Sequence, residues 1–468
     1  MTVDYKTSVY LPKTNFPMKA GLPNNEPKIL KNWQDQNLEG QIREASKGRK
    51  QFILHDGPPY ANGHLHIGHA LNKILKDVIN RTRQMMGYNA YYVPGWDCHG
   101  LPIEWKIEEK YRKKKKDKDE IPIVEFRKEC REFAQGWIEV QKEEFKRLGI
   151  MGDWDHPYTT MTNAAEATIA GELGKFLMDG SLYRGAKPVM WSPVEKTALA
   201  EAEVEYHDHT STTIFVRFPV RIASTPEIDG ASIVIWTTTP WTMPGNRAVA
   251  YGPNIDYVTV EVMAVAEDSL AIVGEKIVLA EARLADVATT TGITSYTVKA
   301  SFKGSVLVGT ICKHPFYGKG YDYDVPALSA EFATNDEGTG IVHIAPGHGP
   351  DDWELGIANG IEIPQTVSED GTYFDHIPIF AGMHVYKCNG NVADTLHDTG
   401  GLLARGTLVH RYPHSWRSRK PLIFRNTSQW FISMEKNDLR KKALKAIDQT
   451  RFVPAKGQNR LRGMVEDR

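Results

Sequence analysis

The sequence predicts an α/β fold, in which helices wrap a parallel sheet and a second, β-rich domain interrupts it. Three observations predict this. Residues 51–100 alternate strand, helix and strand; long amphipathic stretches follow at 125–149 and 164–179; and from about residue 205 β-branched runs punctuated by Gly and Pro replace the helical periodicity.

Gln51-Phe-Ile-Leu-His55 is a short apolar run that reads as a strand and stops at Asp56-Gly-Pro-Pro59, a strong turn signal. Ala70, Leu71, Ile74, Leu75, Val78 and Ile79 then recur at helical spacing, with Gly87 as the stop. Ala90-Tyr-Tyr-Val93 reads as the next strand. The result is a βαβ unit with its loop at the carboxyl end of the first strand, where open α/β sheets bind ligands. Phe126, Cys130, Phe133, Trp137 and Phe145 mark a helix ended by Gly149, and a further helix is closed by Gly180. Lys187-Pro-Val-Met-Trp191 reads as another sheet strand. In the β-rich region, 212–218, 232–236, 257–262 and 340–344 read as strands, and 421–424 and 430–433 as strands beyond it. Lys113–Lys116 reads as a solvated helix end. The expected partition is 1–204, a β-rich domain over 205–395, and a return to the first fold over 396–468.

The chain has 468 residues, enough for two or three domains. Lys and Arg total 57 against 58 Asp and Glu, a balance that argues against a protein coating nucleic acid without specificity. The tail 435–468 is locally basic, with ten Lys or Arg against five acidic residues; it reads as an exposed helix or as an attraction for nucleic-acid phosphates. Four scattered cysteines form no CxxC pair, so neither a disulfide framework nor a zinc ribbon is readable. With no basic-then-apolar leader and no membrane-length apolar run, a cytoplasmic location and no membrane partner are expected.

Two stretches carry chemistry. His64-Leu-His-Ile-Gly-His69 opens the first helix, whose free N–H groups and positive dipole end suit a phosphate. Imidazoles at His66 and His69 would add donors, and Gly68 would let a base or ribose approach the backbone. Zinc ligation by these histidines, or simple capping and surface roles, are the competing readings. The second stretch has two halves. Trp236-Thr-Thr-Thr-Pro-Trp-Thr-Met-Pro-Gly-Asn246 reads as an exposed strand, its threonines alternating faces, that runs into a proline turn. Gly338-Thr-Gly-Ile-Val-His-Ile-Ala-Pro-Gly-His-Gly-Pro-Asp-Asp352 brings His343, His348 and paired carboxylates. The carboxylates could equally cap a helix. No Ser-His-Asp or Cys-His arrangement is readable, so any hydrolysis here would use a positioned water.

The strings Gly57-Pro-Pro-Tyr-Ala-Asn-Gly63, His66-Ile-Gly-His69 and Gly95-Trp-Asp-Cys-His-Gly-Leu-Pro-Ile-Glu104 resemble the class I aminoacyl-tRNA synthetases, and within them the isoleucyl branch. The resemblance continues through Gly152–Tyr158 and Ala200–Tyr206 to Trp430. It implies a Rossmann-type sheet, represented by its amino-terminal half, with an inserted editing domain. It implies ATP-dependent attachment of isoleucine to tRNA(Ile) through isoleucyl-adenylate, with hydrolytic removal of mischarged valine. ATP with its Mg²⁺, isoleucine and tRNA(Ile) would be the partners of a monomer. Pro59, Asn62, Gly63, His66, Gly68 and His69 would bind ATP, with the two histidines stabilising its phosphates. Gly57 and Pro58 would line the isoleucine pocket, and Asp97 would bind the substrate ammonium. In the editing pocket Thr237, Thr238 and Thr239 would hold the terminal adenosine and a water. Thr242, Asn246 and His343 would shape the pocket, and Asp352 would anchor the ammonium of the wrong amino acid. In that family a second site is needed because one missing methylene, the difference between isoleucine and valine, gives weak discrimination.

The sequence departs from the family pattern in two respects. The lysine-rich KMSKS loop is absent from these residues. The chain therefore reads as an amino-terminal fragment not competent for aminoacylation alone; the alternative is a stand-alone hydrolase that deacylates mischarged tRNA. Relatives often carry a cysteine pair at 190–196, whereas this chain has Met190-Trp-Ser-Pro-Val-Glu-Lys196, and His410–Arg417 also lacks cysteine. No zinc is expected.

Overall fold

The structure is a computed structural model and describes residues 5–10 and 14–466. The chain divides into two compact units, 1–175 and 176–468.

The first unit contains α1 (Leu22–Asp35), α2 (Leu38–Ala45), α3 (Ile67–Met85), β1 (Gly95–Trp96), α4 (Leu101–Lys113), α5 (Ile123–Arg147), β2 (Tyr158–Thr159) and the start of α6 (Asn163–Met178). Its parallel sheet is built from short pieces. β1 pairs with β2 in parallel, and single parallel bridges join Gln51 to Asn89 and Tyr60 to Asp97. The strands expected at 51–55 and 90–93 are thus reduced to one bridge, closed by the amides of Phe52 and Asn89. The helices follow the periodicity closely, with Gly87, Gly149 and Gly180 at positive φ just past their ends. Trp96, Phe145 and Trp154 form the centre of this unit's core, Phe145 and Trp154 stacking at 6.0 Å. α3 forms as read, but its apolar stripe is not buried. Leu71 is 61% exposed and its neighbours along that stripe are open too, whereas Lys73, on another face, is 2% exposed. Lys113–Lys116 are exposed at the end of α4, as read.

The second unit holds β3 (Leu182–Ser192), β4 (Thr197–Ala198), β5 (Val204–Ile222), β6 (Ala231–Thr237), β7 (Ala248–Tyr251), β8 (Asp256–Val265), β9 (Lys276–Ala280), α7 (Leu284–Thr291), β10 (Ile293–Lys303), β11 (Ile311–Lys313), β12 (Asp324–Ser329) and β13 (Ile341–Ile344). α8 (Pro350–Ala358), α9 (Asn389–Asp398), β14 (Leu402–Ser415), β15 (Ile423–Ile432), α10 (Leu439–Gln449) and α11 (Gly457–Glu466) complete it. A large mixed sheet runs β10-β8-β9-β6-β5-β11-β12-β7-β13, with β14 also on β5. β5 is long enough to serve both ends: β14 pairs along 204–216 and β11 along 220–222. The β-branched runs alternate as the pleat requires, and Ile214, Val216 and Phe218 enter one core with Ile233, Ile235, Val249 and Phe316. β3 does not extend a parallel sheet; it pairs antiparallel with β15 and β4. The two short strands expected at 421–424 and 430–433 are one strand, β15, because Arg425–Gln429 between them stay paired to β3. The basic tail forms α10 and α11.

Candidate functional site

In the first unit, the loop after Asp56 is held from below. Asp56 is buried, and Lys73 and Lys76 of α3 both reach its carboxylate, Lys76 at 2.6 Å. Burial works against its ionisation, but the two ammonium groups outweigh burial and hold its carboxyl below the ordinary value. The same carboxylate accepts the Gly95 amide at 3.2 Å, which fixes the entry to β1. Asp97 then joins the loop on both sides of Tyr60: its amide donates to the Pro59 carbonyl at 2.8 Å, and its carbonyl accepts the Ala61 amide at 2.9 Å. The Asp97 side chain, half-buried, accepts the His99 amide at 3.3 Å.

His66 is the residue before α3, and the two histidines of the His66-Ile-Gly-His69 string cap the helix reciprocally. His66 Nδ1 accepts the Gly68 amide at 3.0 Å, and His69 Nδ1 accepts the His66 amide at 3.3 Å. An Nδ1 that accepts requires a proton on Nε2 in the neutral ring. Both imidazoles therefore present an Nε2–H donor, with no protein partner among the described residues. The capping and phosphate readings are thus compatible: the cap sets the tautomer that can donate. Gly68 packs close to the His66 ring, where an added Cβ would lie 2.8 Å from Cε1. Burial and the neighbouring His66 and Lys73 lower the His69 titration.

Two residues of α5 that the sequence did not single out hold this loop. Gln141, fully buried, donates to the Tyr60 and Gly63 carbonyls at 3.1 and 2.8 Å and accepts from Trp96 Nε1 at 2.9 Å. Glu144 accepts the Leu65 amide at 2.9 Å and meets His64 Nδ1 at 2.6 Å. Both lie about eighty residues along the chain from what they hold, so no local pattern could have marked them. Asn62 donates to the Pro102 carbonyl at 3.1 Å and orients the rest of the loop. Pro58 stands beside Gly95, where an added Cβ would be 3.4 Å from Pro58 Cβ, and Gly57 lies by Lys76, whose Nζ would be 3.8 Å from a Cβ added there.

In the second unit the threonine and aspartate segments come together. β7 and β13 pair antiparallel with His343 opposite Val249, and the Arg247 amide donates to the Ile344 carbonyl at 2.9 Å. The strand carrying the threonines stops at Thr237, so the three do not alternate on an exposed strand. The Thr239 amide donates to Thr237 Oγ1 at 3.1 Å, and Pro240 starts a 3₁₀ turn to Gly245. Thr237 is buried, and Thr238 and Thr239 are half-buried. Thr238 makes no side-chain hydrogen bond among the described residues.

Thr242, His343 and Asn246 form a buried web. Thr242 Oγ1 donates to the Thr239 carbonyl at 2.9 Å and lies 2.8 Å from His343 Nε2, which must then carry the proton. His343 Nδ1 accepts from Asn246 Nδ2 at 2.8 Å, and Asn246 also donates to Ala248. Asn246 Oδ1 is left buried without a partner. Burial drives His343 down to about 3, so it is neutral. Asp352 sits in the first turn of α8, but it turns back to accept the Ala345 amide at 2.7 Å rather than cap its own helix. Burial, reinforced by neighbouring Asp351, pushes its carboxyl up to about 7. His348 lies between Phe424 and Thr366, edge-on to Trp241 at 4.9 Å. Asn389 and Tyr373 support the turn by bonding the Trp241 amide and carbonyl, and His314 by bonding Met243 at 3.1 Å. These supporters were invisible in the sequence because each acts across 71 to 148 residues.

A capped nucleotide-type helix start on short parallel pairings, followed by a β-rich region that joins threonine and aspartate segments, matches one family along nearly the whole chain. The family described as tRNA synthetases class I (I, L, M and V) matches residues 28–468, and the chain belongs to it. Among curated relatives, the isoleucine--tRNA ligase of Pelagibacter ubique is 56% identical over 99% of this chain and 51% of the relative. That of Gluconobacter oxydans is 54% identical over 99% of this chain and 50% of the relative. The chain thus spans about half the length of the curated relatives it matches. A solved ternary complex of Agrobacterium radiobacter K84 LeuRS with tRNA and LeuAMS is 17% identical, covering 87% of this chain and 49% of that one with a TM-score of 0.33. Among the described residues no helix is long and apolar enough to cross a membrane.

Proposed function

We propose that this chain carries two sites of an isoleucine-specific synthetase: part of the site that activates isoleucine with ATP, in the first unit, and a hydrolytic editing site in residues 205–395. The observation that carries the editing reading is the web of Thr242, His343 and Asn246 beside the half-buried, easily protonated Asp352. A carboxyl in such surroundings gains most from a cationic partner, because an ammonium restores the charge that burial opposes. The α-ammonium of a valyl ester on tRNA(Ile) is that partner. With the amino acid held there, Thr237, Thr238 and Thr239 grip the terminal ribose and a water. The water attacks the ester carbonyl, and the ribose oxygen leaves and takes up a proton. The neutral His343 keeps the pocket wall rigid and takes no proton.

At the first site, the Nε2–H groups of His66 and His69 meet the phosphates of ATP, which arrives with Mg²⁺. Asp97 meets the ammonium of isoleucine, and Gly57 and Pro58 line its pocket. Pro59, Asn62, Gly63 and Gly68 leave room for the nucleotide.

Release of labelled valine from valyl-tRNA(Ile) tests the editing reading. The chain is expected to accelerate it and Asp352→Ala to abolish the effect; equal rates for both would overturn the assignment. Isoleucine-dependent pyrophosphate exchange by the protein at its natural length tests the activation reading, and exchange with valine but not isoleucine would overturn the specificity.

A further inference from the structure

Four buried side-chain atoms without hydrogen-bond partners lie together in the second unit: Glu195 Oε2, Arg417 Nε and Nη1, and Ser418 Oγ. Two turns meet there. Ser192-Pro-Val-Glu195 leaves β3, and Lys196 follows at φ 52°; Ser415-Trp-Arg-Ser418 leaves β14, and Arg419 follows at φ 54°. A left-handed conformation is uncommon for residues other than glycine, so its recurrence at the same offset marks two turns of the same shape. In each, the amide of the fourth residue faces the side-chain oxygen of the first: Glu195 N to Ser192 Oγ at 3.2 Å, and Ser418 N to Ser415 Oγ at 3.4 Å. The turns are fastened to each other, since Ser415 Oγ donates to Glu195 Oε1 at 2.5 Å and the Ser418 amide reaches the same oxygen at 3.2 Å. Paired turns with two residues between ligand positions are the form of a structural four-ligand metal site.

The residues present do not fit a metal. Three hydroxyls and one carboxylate stand where thiolates or imidazoles would be needed, and Arg417 Nη1 lies 3.6 Å from Glu195 Oε2, where it would repel a cation. Arg417 also pairs with Glu203, the residue before β5, and the Trp416 amide donates to the Glu203 carbonyl at 3.2 Å. Both side chains of the central pair are nearly inaccessible, Glu195 at 1% and Arg417 at 6%.

We propose that this knot is a metal-independent clasp with the shape of a metal knuckle. The Arg417 guanidinium takes the place of the ion's charge and ties the β3–β4 turn to the start of β5 and the end of β14. Its unpartnered atoms are what remains when directional hydrogen bonds replace a tetrahedral centre.

Two measurements on the 468-residue chain decide it. Wild type purified after growth with added zinc should carry no stoichiometric metal by elemental mass spectrometry, and its Tm should not move with a strong chelator. Glu195→Gln should lower Tm by roughly 5 °C or more, because a buried guanidinium loses the more deeply buried of its two charge partners and Ser415 loses its carboxylate acceptor. One equivalent of bound metal with a chelator-sensitive Tm would overturn the proposal, as would an unchanged Tm in Glu195→Gln. A third measurement probes the shape: a chain with Ser192→Cys, Glu195→Cys, Ser415→Cys, Ser418→Cys and Arg417→Leu should bind one Co(II) with the intense visible bands of a tetrahedral thiolate site. A folded variant without those bands would overturn the knuckle geometry, and the first two measurements stand if that variant does not fold.

Discussion

Asp352 Oδ2 accepts the Ala345 amide at 2.7 Å, so the first turn of α8 is tied back to the residue that follows β13. Burial, which this bond offsets only in part, raises the titration of the half-buried carboxyl to about 7. Between the ordinary value of 3.8 and 7, the folded chain keeps a proton that the unfolded chain has released. This group therefore makes stability fall as pH rises through that window, and adds no further change above it. Asp352→Asn should remove the fall, gaining on the order of 2–4 kcal/mol over wild type at pH 8 and little at pH 4. Urea unfolding of both chains across pH 4–8 checks this, and a pH-independent difference would refute it.

The opposite slope belongs to the buried histidines. Burial drives His314 and His343 down to about 3 and His348 to about 4. Unfolded histidines bind protons near 6.5 while these stay neutral, so their stabilisation is complete above that pH and is lost as pH falls towards 4. Each contributes a slope of about 1.4 kcal/mol per pH unit in that range, against the single opposing proton of Asp352. His348→Gln should reduce the acid-side slope by about one proton in the same denaturant series.

Thr242→Val keeps the shape of the pocket wall but removes the hydroxyl between His343 Nε2 and the Thr239 carbonyl. Stranding a buried donor should destabilise the chain by about 1–3 kcal/mol. Valyl-tRNA(Ile) deacylation should fall with it, and Thr242→Ser should restore both. Thermal unfolding and the release assay read the two effects separately.

Asp56→Asn leaves Lys73 buried without its charge partner, which should cost about 3–5 kcal/mol. Adding Lys73→Met should recover part of the loss, because the second change removes the stranded ammonium. A double-mutant cycle by denaturant unfolding measures the coupling.

The elements with sustained periodicity were legible in the sequence; those made by tertiary pairing were not. The apolar repeat from Phe126 to Phe145 runs over more than five turns and forms α5. Gln51–His55 offered only five residues, and the structure keeps one bridge of the expected strand. The apolar stripe of α3 marked the helix correctly but not its buried face, because this helix turns Lys73 inward to meet Asp56 and leaves Leu71 open. Glycine- and proline-bounded strings exposed the loop around Asp97 and the turn after Thr237, since such residues are read locally. Gln141, Glu144, Asn389 and His314 reach what they hold through hydrogen bonds to residues far along the chain, and leave no local trace.

β5 and β14 lie side by side from Val204 opposite Ser415 to Val216 opposite Leu402. Bringing those strands together from an unfolded chain closes a ring of nearly two hundred residues, an entropic penalty on the order of 5 kcal/mol before any bond in the ladder forms. The chain between them must shorten that ring by folding first. The ribbon is therefore the last part of the sheet to zip, and substitutions along it should accelerate unfolding while leaving the refolding rate nearly untouched.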